Sequence, residues 1–166
     1  MKLVSIIDYG CGNIRSVFNA FNAIREKKNI KVLVTSKEKE IKRANYLVLP
    51  GVGSFESCIK GLKKSNLLDV ITHKVKDDCI PFLGICVGMQ MLATHSFENG
   101  KFEGLNWIEG EVKKMHKTHE KLKIPHMGWG NLELKKETAF IKKLKTKLEF
   151  EKVSAYFVHS YNFFTK

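Results

Sequence analysis

The 166-residue sequence predicts an α/β fold: a doubly wound, mostly parallel sheet with flanking helices and a more antiparallel C-terminal portion. Two observations support this fold class. Over the first half of the chain, short and almost uninterrupted apolar runs alternate with stretches of helical periodicity, as expected for strands covered on both faces. From about Asn99 onward, short extended pieces replace that pattern. No linker, repeat or low-complexity segment divides the chain, so we predict one domain over residues 1–166.

The elements of the first half begin with the strand KLVSIID, and the turn YGCGN leads into an amphipathic helix with Asn13 as its N-cap. The apolar stripe of that helix consists of Ile14, Val17, Phe18, Phe21 and Ile24. The further predicted elements are the strand IKVLVT, a short helix over Glu38 to Arg43, the strand NYLVLP, the turn PGVGS, helical material through Lys76, the strand IPFLGI and the helix VGMQMLATHS. Strands joined by crossover helices favour a parallel sheet.

The second half contains three extended pieces, GLNWIEGEVKKM, WGNLELK and VSAYFVHSY, which predict strands of a more antiparallel region. A turn of helix is predicted near Thr138 to Lys145. The longest apolar runs are too short to span a bilayer, so no membrane segment is expected. The N-terminal run MKLVSIIDYG lacks a small-residue cleavage site and indicates a buried strand rather than a signal peptide.

The formal net charge of +12 raises the possibility of nucleic-acid binding. Lysine supplies nearly all of it, and Arg15, Arg25 and Arg43 are the only arginines, whereas phosphate and base recognition usually depends on arginine. The lysines are also spread along the chain. We therefore expect solvated lysine-rich faces and no nucleic-acid partner.

The four cysteines, Cys11, Cys58, Cys79 and Cys86, have no metal-like C-x-x-C spacing. Without a secretory signal they indicate reduced thiols in a cytoplasmic protein, with no metal site. The segment DYGCGNIRS matches only part of the dinucleotide fingerprint G-x-G-x-x-G, because Arg15 stands where the third glycine belongs. We therefore expect no cofactor.

The candidate nucleophile is Cys86, which lies between Gly84 and Gly88 in GICVGMQ, where a predicted strand turns into a helix. A sharp strand-to-helix turn leaves no room for side chains at the flanking positions, as in the G-x-S-x-G elbow of hydrolases. The helix N-terminus favours the reactive thiolate, and the N–H of Val87 can donate to an oxyanion. The alternative is that Cys86 is a small core residue.

A second glycine pair occurs in PGVGSF, directly after the third predicted strand. Gly51 and Gly53 allow the backbone to approach a substrate closely or to turn a peptide N–H toward an anion. We therefore expect an oxyanion donor in the segment Gly51, Val52 and Gly53. Taken alone, the pair would be interpreted as an ordinary glycine turn.

Five segments together resemble one family: DYGCGNIRSV, LPGVGSF, GICVGMQ, PHMGWG and YFVHSY. They are similar to the glutamine amidotransferase subunits of imidazole glycerol phosphate synthase, in the class I triad amidotransferases. The resemblance covers the whole chain. It implies that Cys86 attacks the side-chain amide of glutamine, forms a glutamyl thioester and releases ammonia. It also implies that Gln90, His159, Ser160 and Tyr161 line the glutamine pocket.

The resemblance further implies a heterodimer in which ammonia passes to a (β/α)8-barrel partner subunit that acts in histidine biosynthesis. Asn13, His126, Met127 and Trp129 would lie toward that partner. The family usually reads P-H-M-G-W-N, whereas Gly130 replaces the asparagine here. That difference leaves open a relative that supplies ammonia to a sugar-amidating synthase.

The family also carries a histidine and a glutamate in an H-P-E-like segment, and no such segment occurs in the 166 residues. None of the six histidines, His73, His95, His116, His119, His126 and His159, stands at a matching position. We therefore expect a C-terminally truncated product with little glutaminase activity of its own. A non-catalytic binding remnant is a further alternative. A cysteine hydrolase of the intracellular protease-like family fits less well, because Val87 stands where those proteins often have histidine.

Overall fold

A computed structural model describes residues 1–116, 123–132, 138, 141–142, 146 and 154–166. The chain forms two compact units. The first comprises Met1–Lys113 and Phe163–Lys166, and the second comprises Lys114–Asn162. The single domain over residues 1–166 remains a prediction.

The first unit contains a four-stranded sheet in the order β2-β1-β3-β4, in which all neighbouring strands are parallel. Its strands are β1 (Lys2–Ile7), β2 (Ile30–Thr35), β3 (Tyr46–Gly51) and β4 (Phe82–Cys86). The helices are α1 (Ile14–Lys28), α2 (Glu38–Lys42), α3 (Phe55–Lys64), α4 (Leu68–Lys76) and α5 (Val87–Gln90). The predicted fold class, a parallel sheet flanked by helices, is confirmed.

Helix α1 forms where its N-cap and apolar stripe predict it. The side-chain oxygen of Asn13 accepts the N–H of Ser16 at 3.3 Å, which satisfies one of the free donors of the first turn. The helix ends at Asn29, whose φ of +49° is a left-handed C-cap. Four stripe residues pack against a core cluster on the sheet, and the fifth, Ile24, stays 43% exposed. The packed residues are Ile14, Val17, Phe18 and Phe21, and the cluster is Val4, Ile6 and Val48.

The central strands are covered on both faces. Ile7, Leu47 and Leu49 alternate with the residues that face α1, and they are fully buried as well. Helices α2, α3 and α4 also bury apolar side chains, namely Ile41, Phe55, Cys58, Ile59, Leu62, Val70 and Ile71. This burial explains why β1 and β3 read as apolar runs rather than as alternating patterns.

The predicted helix VGMQMLATHS is much shorter than expected, because α5 ends at Gln90 and His95–Ser96 forms strand β5. Three successive carbonyls after α5 accept N–H groups from residues 105–108, so they are not free to continue the helix. The pairs are Met91 with Leu105 at 2.8 Å, Leu92 with Trp107 at 2.9 Å and Ala93 with Asn106 at 3.0 Å. The tertiary contact overrides the local periodicity.

A second sheet has the order β10-β7-β5-β6, with β6 at Phe102–Glu103, β7 at Gly110–Lys114 and β10 at Tyr161–Thr165. Strands β5 and β6 are antiparallel. In the second unit, β8 (His126–Asn131) and β9 (Ser154–His159) form an antiparallel pair. The predicted antiparallel portion is thus confirmed.

Two predictions fall partly outside the described residues, namely the end of WGNLELK and most of the helical turn near Thr138 to Lys145. Within the described part, the N–H of Lys142 donates to the carbonyl of Thr138 at 2.9 Å. Among the described helices, none has the length and apolar character needed to cross a bilayer.

Ser5 on β1 is fully buried, and its hydroxyl has no hydrogen-bond partner among the described residues. Ser5→Ala should therefore raise the free energy of unfolding by about 1 kcal/mol, because an unpaired buried hydroxyl costs desolvation energy. Urea denaturation measures the change. Ser96 is the matched control, since it is equally buried but accepts the N–H of Glu98 at 3.2 Å. Ser96→Ala should lower stability; equal effects of both substitutions would contradict the prediction.

Candidate active site

Cys86 is the last residue of β4 and immediately precedes α5. Its backbone has φ of +55° and ψ of −119°, a strained conformation for a residue with a side chain. The residue is exposed. The predicted elbow is therefore present in geometry, and the alternative that Cys86 is a buried core residue is wrong.

Three glycines around Cys86 let the backbones of β3, β4 and α5 approach one another. A Cβ on Gly84 would lie 2.7 Å from the carbonyl oxygen of Gly88. A Cβ on Gly88 would lie 1.9 Å from the carbonyl oxygen of Leu49, and one on Gly51 would lie 2.5 Å from the nitrogen of Gly88. No side chain fits at these positions. The two glycines of the G-x-C-x-G pattern are thus required because there is no space for a side chain, and not because the backbone must be flexible there.

The segment predicted to carry the oxyanion donor ends β3 next to the elbow. Gly51 is the register partner of Cys86 in the parallel pairing of β3 with β4. Val52 is 58% exposed, and Gly53 has φ of +103°, which an L-residue rarely adopts. The structure therefore brings Cys86, Val87 and the segment Gly51–Gly53 to one edge of the sheet.

The far end of this segment is held where α3 begins. The hydroxyl of Ser54 accepts the N–H of Ser57 at 3.2 Å as an N-cap. The carboxylate of Glu98 accepts the N–H of Phe55 at 2.7 Å, which places a negative charge at the positive end of the helix. The backbone that follows Gly53 is thereby fixed.

Of the residues predicted to bind glutamine, Gln90 lies in the first unit, on α5. It is the last residue of α5, four positions after Cys86, and is only 8% exposed. His159, Ser160 and Tyr161 lie in the second unit, so their grouping with Cys86 remains a prediction.

The ring of His159 has both nitrogens engaged. Its Nδ1 lies 3.0 Å from the carbonyl oxygen of Tyr161, and its Nε2 lies 3.2 Å from Nδ1 of His126. Because a carbonyl oxygen only accepts, Nδ1 of His159 carries the hydrogen. The carbonyl of Ser160 accepts the N–H of Met115 at 2.9 Å. These contacts give His159 a structural environment within its own unit.

The pair of strands β8 and β9 has two different faces. On one face, Met127 is 63% exposed and Trp129 is 74% exposed, opposite Val158 and Tyr156. The rings of Trp129 and Tyr156 meet edge to face at 5.7 Å. On the other face, the ring of His126 stacks on Phe157 at 5.2 Å. Two of the three predicted interface residues in this unit are therefore exposed apolar side chains.

Gly130, the residue that departs from the family pattern, lies close to the ring of Phe157 in β9. A Cβ on Gly130 would lie 3.1 Å from the Phe157 ring, so a larger residue would need the ring to shift. Asn13, the remaining predicted interface residue, lies in the first unit and caps α1. Its role toward a partner stays a prediction.

The described part of the first unit contains two histidines, and neither contacts Cys86. Nδ1 of the exposed His73 on α4 pairs with Asp77 at 2.6 Å, and His95 lies on β5 opposite Glu103 and Glu111. Among the described residues, no group of three or more His, Cys, Asp or Glu side chains could hold a metal ion.

Two residues of the site region were missed by sequence reasoning. Tyr9 follows β1 and Cys58 lies in α3, and both hydrogen-bond carbonyls of the segment Pro50–Gly53. No sequence motif predicts these hydrogen bonds. The partner of Tyr9 is distant in sequence, and the partner of Cys58 lies outside its helix.

Comparison with known proteins agrees with this geometry. The glutamine amidotransferase class-I family model matches residues 5–165. The chain therefore belongs to the class-I glutamine amidotransferase family. A crystal structure of a glutamine amidotransferase superposes with a TM-score of 0.67 at 16% identity, over 96% of this chain and 72% of the other, and so supports the fold.

The names of similar curated proteins point to one branch of this family. The protein from Rhodopseudomonas palustris named imidazole glycerol phosphate synthase subunit HisH is 44% identical over 162 residues, which are 96% of this chain and 74% of the relative. HisH of Bradyrhizobium diazoefficiens is 45% identical with the same coverage. HisH of Pelagibacter ubique is 39% identical over 96% of this chain and 74% of the relative.

Proposed function

We propose that this chain is the glutaminase subunit of an imidazole glycerol phosphate synthase, acting in histidine biosynthesis with Cys86 as nucleophile. The observation that carries the proposal is an exposed cysteine in a strained strand-to-helix turn, paired in register with Gly51. The names of the HisH relatives support the choice of synthase. The four cysteines are free thiols, which fits the proposed cytoplasmic location.

The chemistry begins when the Cys86 thiolate attacks the side-chain carbonyl carbon of glutamine and forms a C–S bond. The negative charge moves to the carbonyl oxygen, where the Val87 N–H and one N–H of Gly51, Val52 or Gly53 stabilise it. The C–N bond then breaks, the leaving nitrogen takes a proton from water, and ammonia departs. Water finally hydrolyses the glutamyl thioester to glutamate and restores the thiol.

Glutamine itself would be held by Gln90 from α5 and by His159, Ser160 and Tyr161 after β9. These groups offer amide, imidazole, hydroxyl and backbone partners for the amino and carboxylate ends of the substrate. Their carbonyl and ring contacts in the second unit fix the backbone from which they would act.

The ammonia acceptor would be a (β/α)8-barrel synthase subunit in a heterodimer with this chain. The subunit designation of the HisH relatives supports a partner. The exposed face with Met127 and Trp129 supports its location, because exposed aromatic and methionine side chains are enriched in interfaces. Asn13 and His126 would complete that surface.

Attack by Cys86 also needs a general base that takes up the thiol proton, and such a positioned base typically contributes about 10²- to 10⁴-fold. In the described part of the first unit, neither His73 nor His95 contacts Cys86. Neither of these two histidines is therefore proposed as that base.

The proposal is tested with a glutamine analogue in which a chloromethyl ketone replaces the side-chain amide. Cys86 displaces the chloride and forms a stable thioether, which peptide mapping by mass spectrometry locates. Cys79 is the internal control, since it is also exposed and also has positive φ, +51°, but does not lie at a strand-to-helix turn. Iodoacetamide, which lacks the amino-acid part, measures the general reactivity of each thiol.

We expect the chloroketone to modify Cys86 at least about tenfold faster than Cys79 after normalisation to iodoacetamide, because only Cys86 has a substrate site and oxyanion donors. Equal normalised rates would contradict the proposed function and favour a non-catalytic binding protein.

A further inference from the structure

Two buried side chains hold the backbone that precedes and follows the Gly51–Val52 peptide. The Tyr9 hydroxyl donates to the carbonyl of Pro50 at 2.8 Å. The Cys58 thiol donates to the carbonyl of Val52 at 3.5 Å. Tyr9 is 6% exposed and Cys58 is fully buried, so water does not compete readily for these carbonyls.

The loop after β1 is shaped to deliver Tyr9 to this position. Gly12 has φ of +118°, and a Cβ there would lie 3.1 Å from the Pro50 side chain. On the other side of the loop, a Cβ on Gly61 of α3 would lie 3.3 Å from the Tyr9 carbonyl oxygen. The loop is therefore packed between the end of β3 and helix α3, with little room to move.

Both side chains are protonated donors near neutral pH. Burial raises the pKa of the Tyr9 hydroxyl above its ordinary value, and the neighbouring Cys58 and Cys11 thiols raise it further. Burial also raises the pKa of Cys58 to about 11. Their hydrogen bonds to the two carbonyls are thus available throughout the physiological pH range.

These hydrogen bonds determine where two backbone donors point. In a trans peptide the N–H points opposite to the carbonyl. Because Tyr9 follows β1 and holds the Pro50 carbonyl, the N–H of Gly51 points toward the other neighbour of β3, which is β4, and the register of Pro50 with Ile85 commits this N–H to the sheet. Because Cys58 of α3 holds the Val52 carbonyl, the N–H of Gly53 points away from α3.

We propose that Tyr9 and Cys58 are positioning residues that hold the segment Pro50–Gly53 in register with Cys86, so that the N–H of Gly53, which lies beyond the β3–β4 ladder, serves as an oxyanion donor. This role rests on the proposed function, since it supports the oxyanion chemistry of Cys86. Tyr9 and Cys58 act through backbone carbonyls and do not touch the substrate. The role also explains why a tyrosine follows β1 in a loop that otherwise resembles an incomplete nucleotide motif.

The test compares the rates at which the glutamine chloroketone and iodoacetamide modify Cys86 in variants of the full chain. Tyr9→Phe removes only the hydroxyl, and Cys58→Ala removes only the thiol. Each should lower the ratio of the two rates about fivefold, the factor expected for one lost hydrogen bond. Iodoacetamide modification should change little, because it needs no oxyanion donor. A general loss of structure would instead alter both rates together.

Two controls separate positioning from bulk effects. Tyr46→Phe removes a hydroxyl from the opposite end of β3, where it accepts from Lys2 at 3.2 Å, and should leave the ratio unchanged. Cys58→Ser retains a donor and should restore most of the ratio that Cys58→Ala loses. Unchanged ratios in both Tyr9→Phe and Cys58→Ala would overturn the positioning role. If parental Cys86 shows no preference for the chloroketone over Cys79, the proposed function itself fails.

Discussion

Gly88→Ala is expected to lower the free energy of unfolding by more than about 4 kcal/mol, or to prevent soluble expression. The added Cβ would lie 1.9 Å from the carbonyl oxygen of Leu49 in β3, a distance that no real Cβ contact reaches. Both contacting groups belong to backbones of packed elements, so neither can rotate away as a flexible side chain could. Relief of the clash would require β3 and α5 to separate.

Urea denaturation of the purified variant, or its soluble yield if it cannot be purified, measures this effect. Gly61→Ala is the matched control, because it also adds a methyl group within a helix. There the Cβ would lie 3.3 Å from the Cys11 sulfur and the Tyr9 carbonyl oxygen. The gain in helix propensity, about 1 kcal/mol, offsets that close contact. Gly61→Ala should stay within about 1 kcal/mol of the parent, and an equally stable Gly88→Ala would contradict the described elbow.

Cys86→Ala is expected to abolish formation of γ-glutamyl hydroxamate from glutamine and hydroxylamine. Hydroxylamine attacks the carbonyl carbon of the glutamyl thioester, the Cys86 thiol leaves, and the hydroxamate is released after ammonia has departed. The assay therefore reports acylation of Cys86 even where hydrolysis by water is slow. Removing the nucleophile should lower the rate by at least about a thousandfold, to the limit of detection.

Cys79→Ala provides the control for loss of an exposed thiol, and it should retain the parental rate of hydroxamate formation. Cys79 lies just after α4, where its sulfur donates to the carbonyl of Lys76 at 3.6 Å. Hydroxamate formation that survives in Cys86→Ala would assign the chemistry to another group. Cys86→Ala removes atoms at an exposed position and adds none, so the variant should fold as the parent does.

The elbow was predictable from sequence because its requirement is steric and local. Gly84 and Gly88 flank Cys86 at the positions where a Cβ would clash with neighbouring backbone. The glycine spacing alone therefore predicts the sharp strand-to-helix turn. The strands β1 and β3 were predictable for a related reason, since burial on both faces selects a continuous apolar run. The N-cap of α1 likewise depends only on Asn13 and the first turn.

The length of α5 was not predictable from periodicity. Its end depends on the N–H groups of residues 105–108, which donate to the carbonyls of residues 91–93. The roles of Tyr9 and Cys58 also depend on partners that other elements bring close: Tyr9 and Pro50 are 41 positions apart. Such contacts leave no periodic signal, and only the assembled sheet shows them. The glutamine-binding residues remain predictions that rest on the family resemblance.

The most direct measurement is the rate of Cys86 modification by the glutamine chloroketone at increasing glutamine concentration. If an amide substrate occupies a site above this strained cysteine, glutamine should slow the modification to a saturable limit, while asparagine, one methylene shorter, and the modification of Cys79 should show no such effect. If glutamine at high concentration leaves the rate at Cys86 unchanged, Cys86 does not face a glutamine site, and its assignment as a glutaminase nucleophile is contradicted.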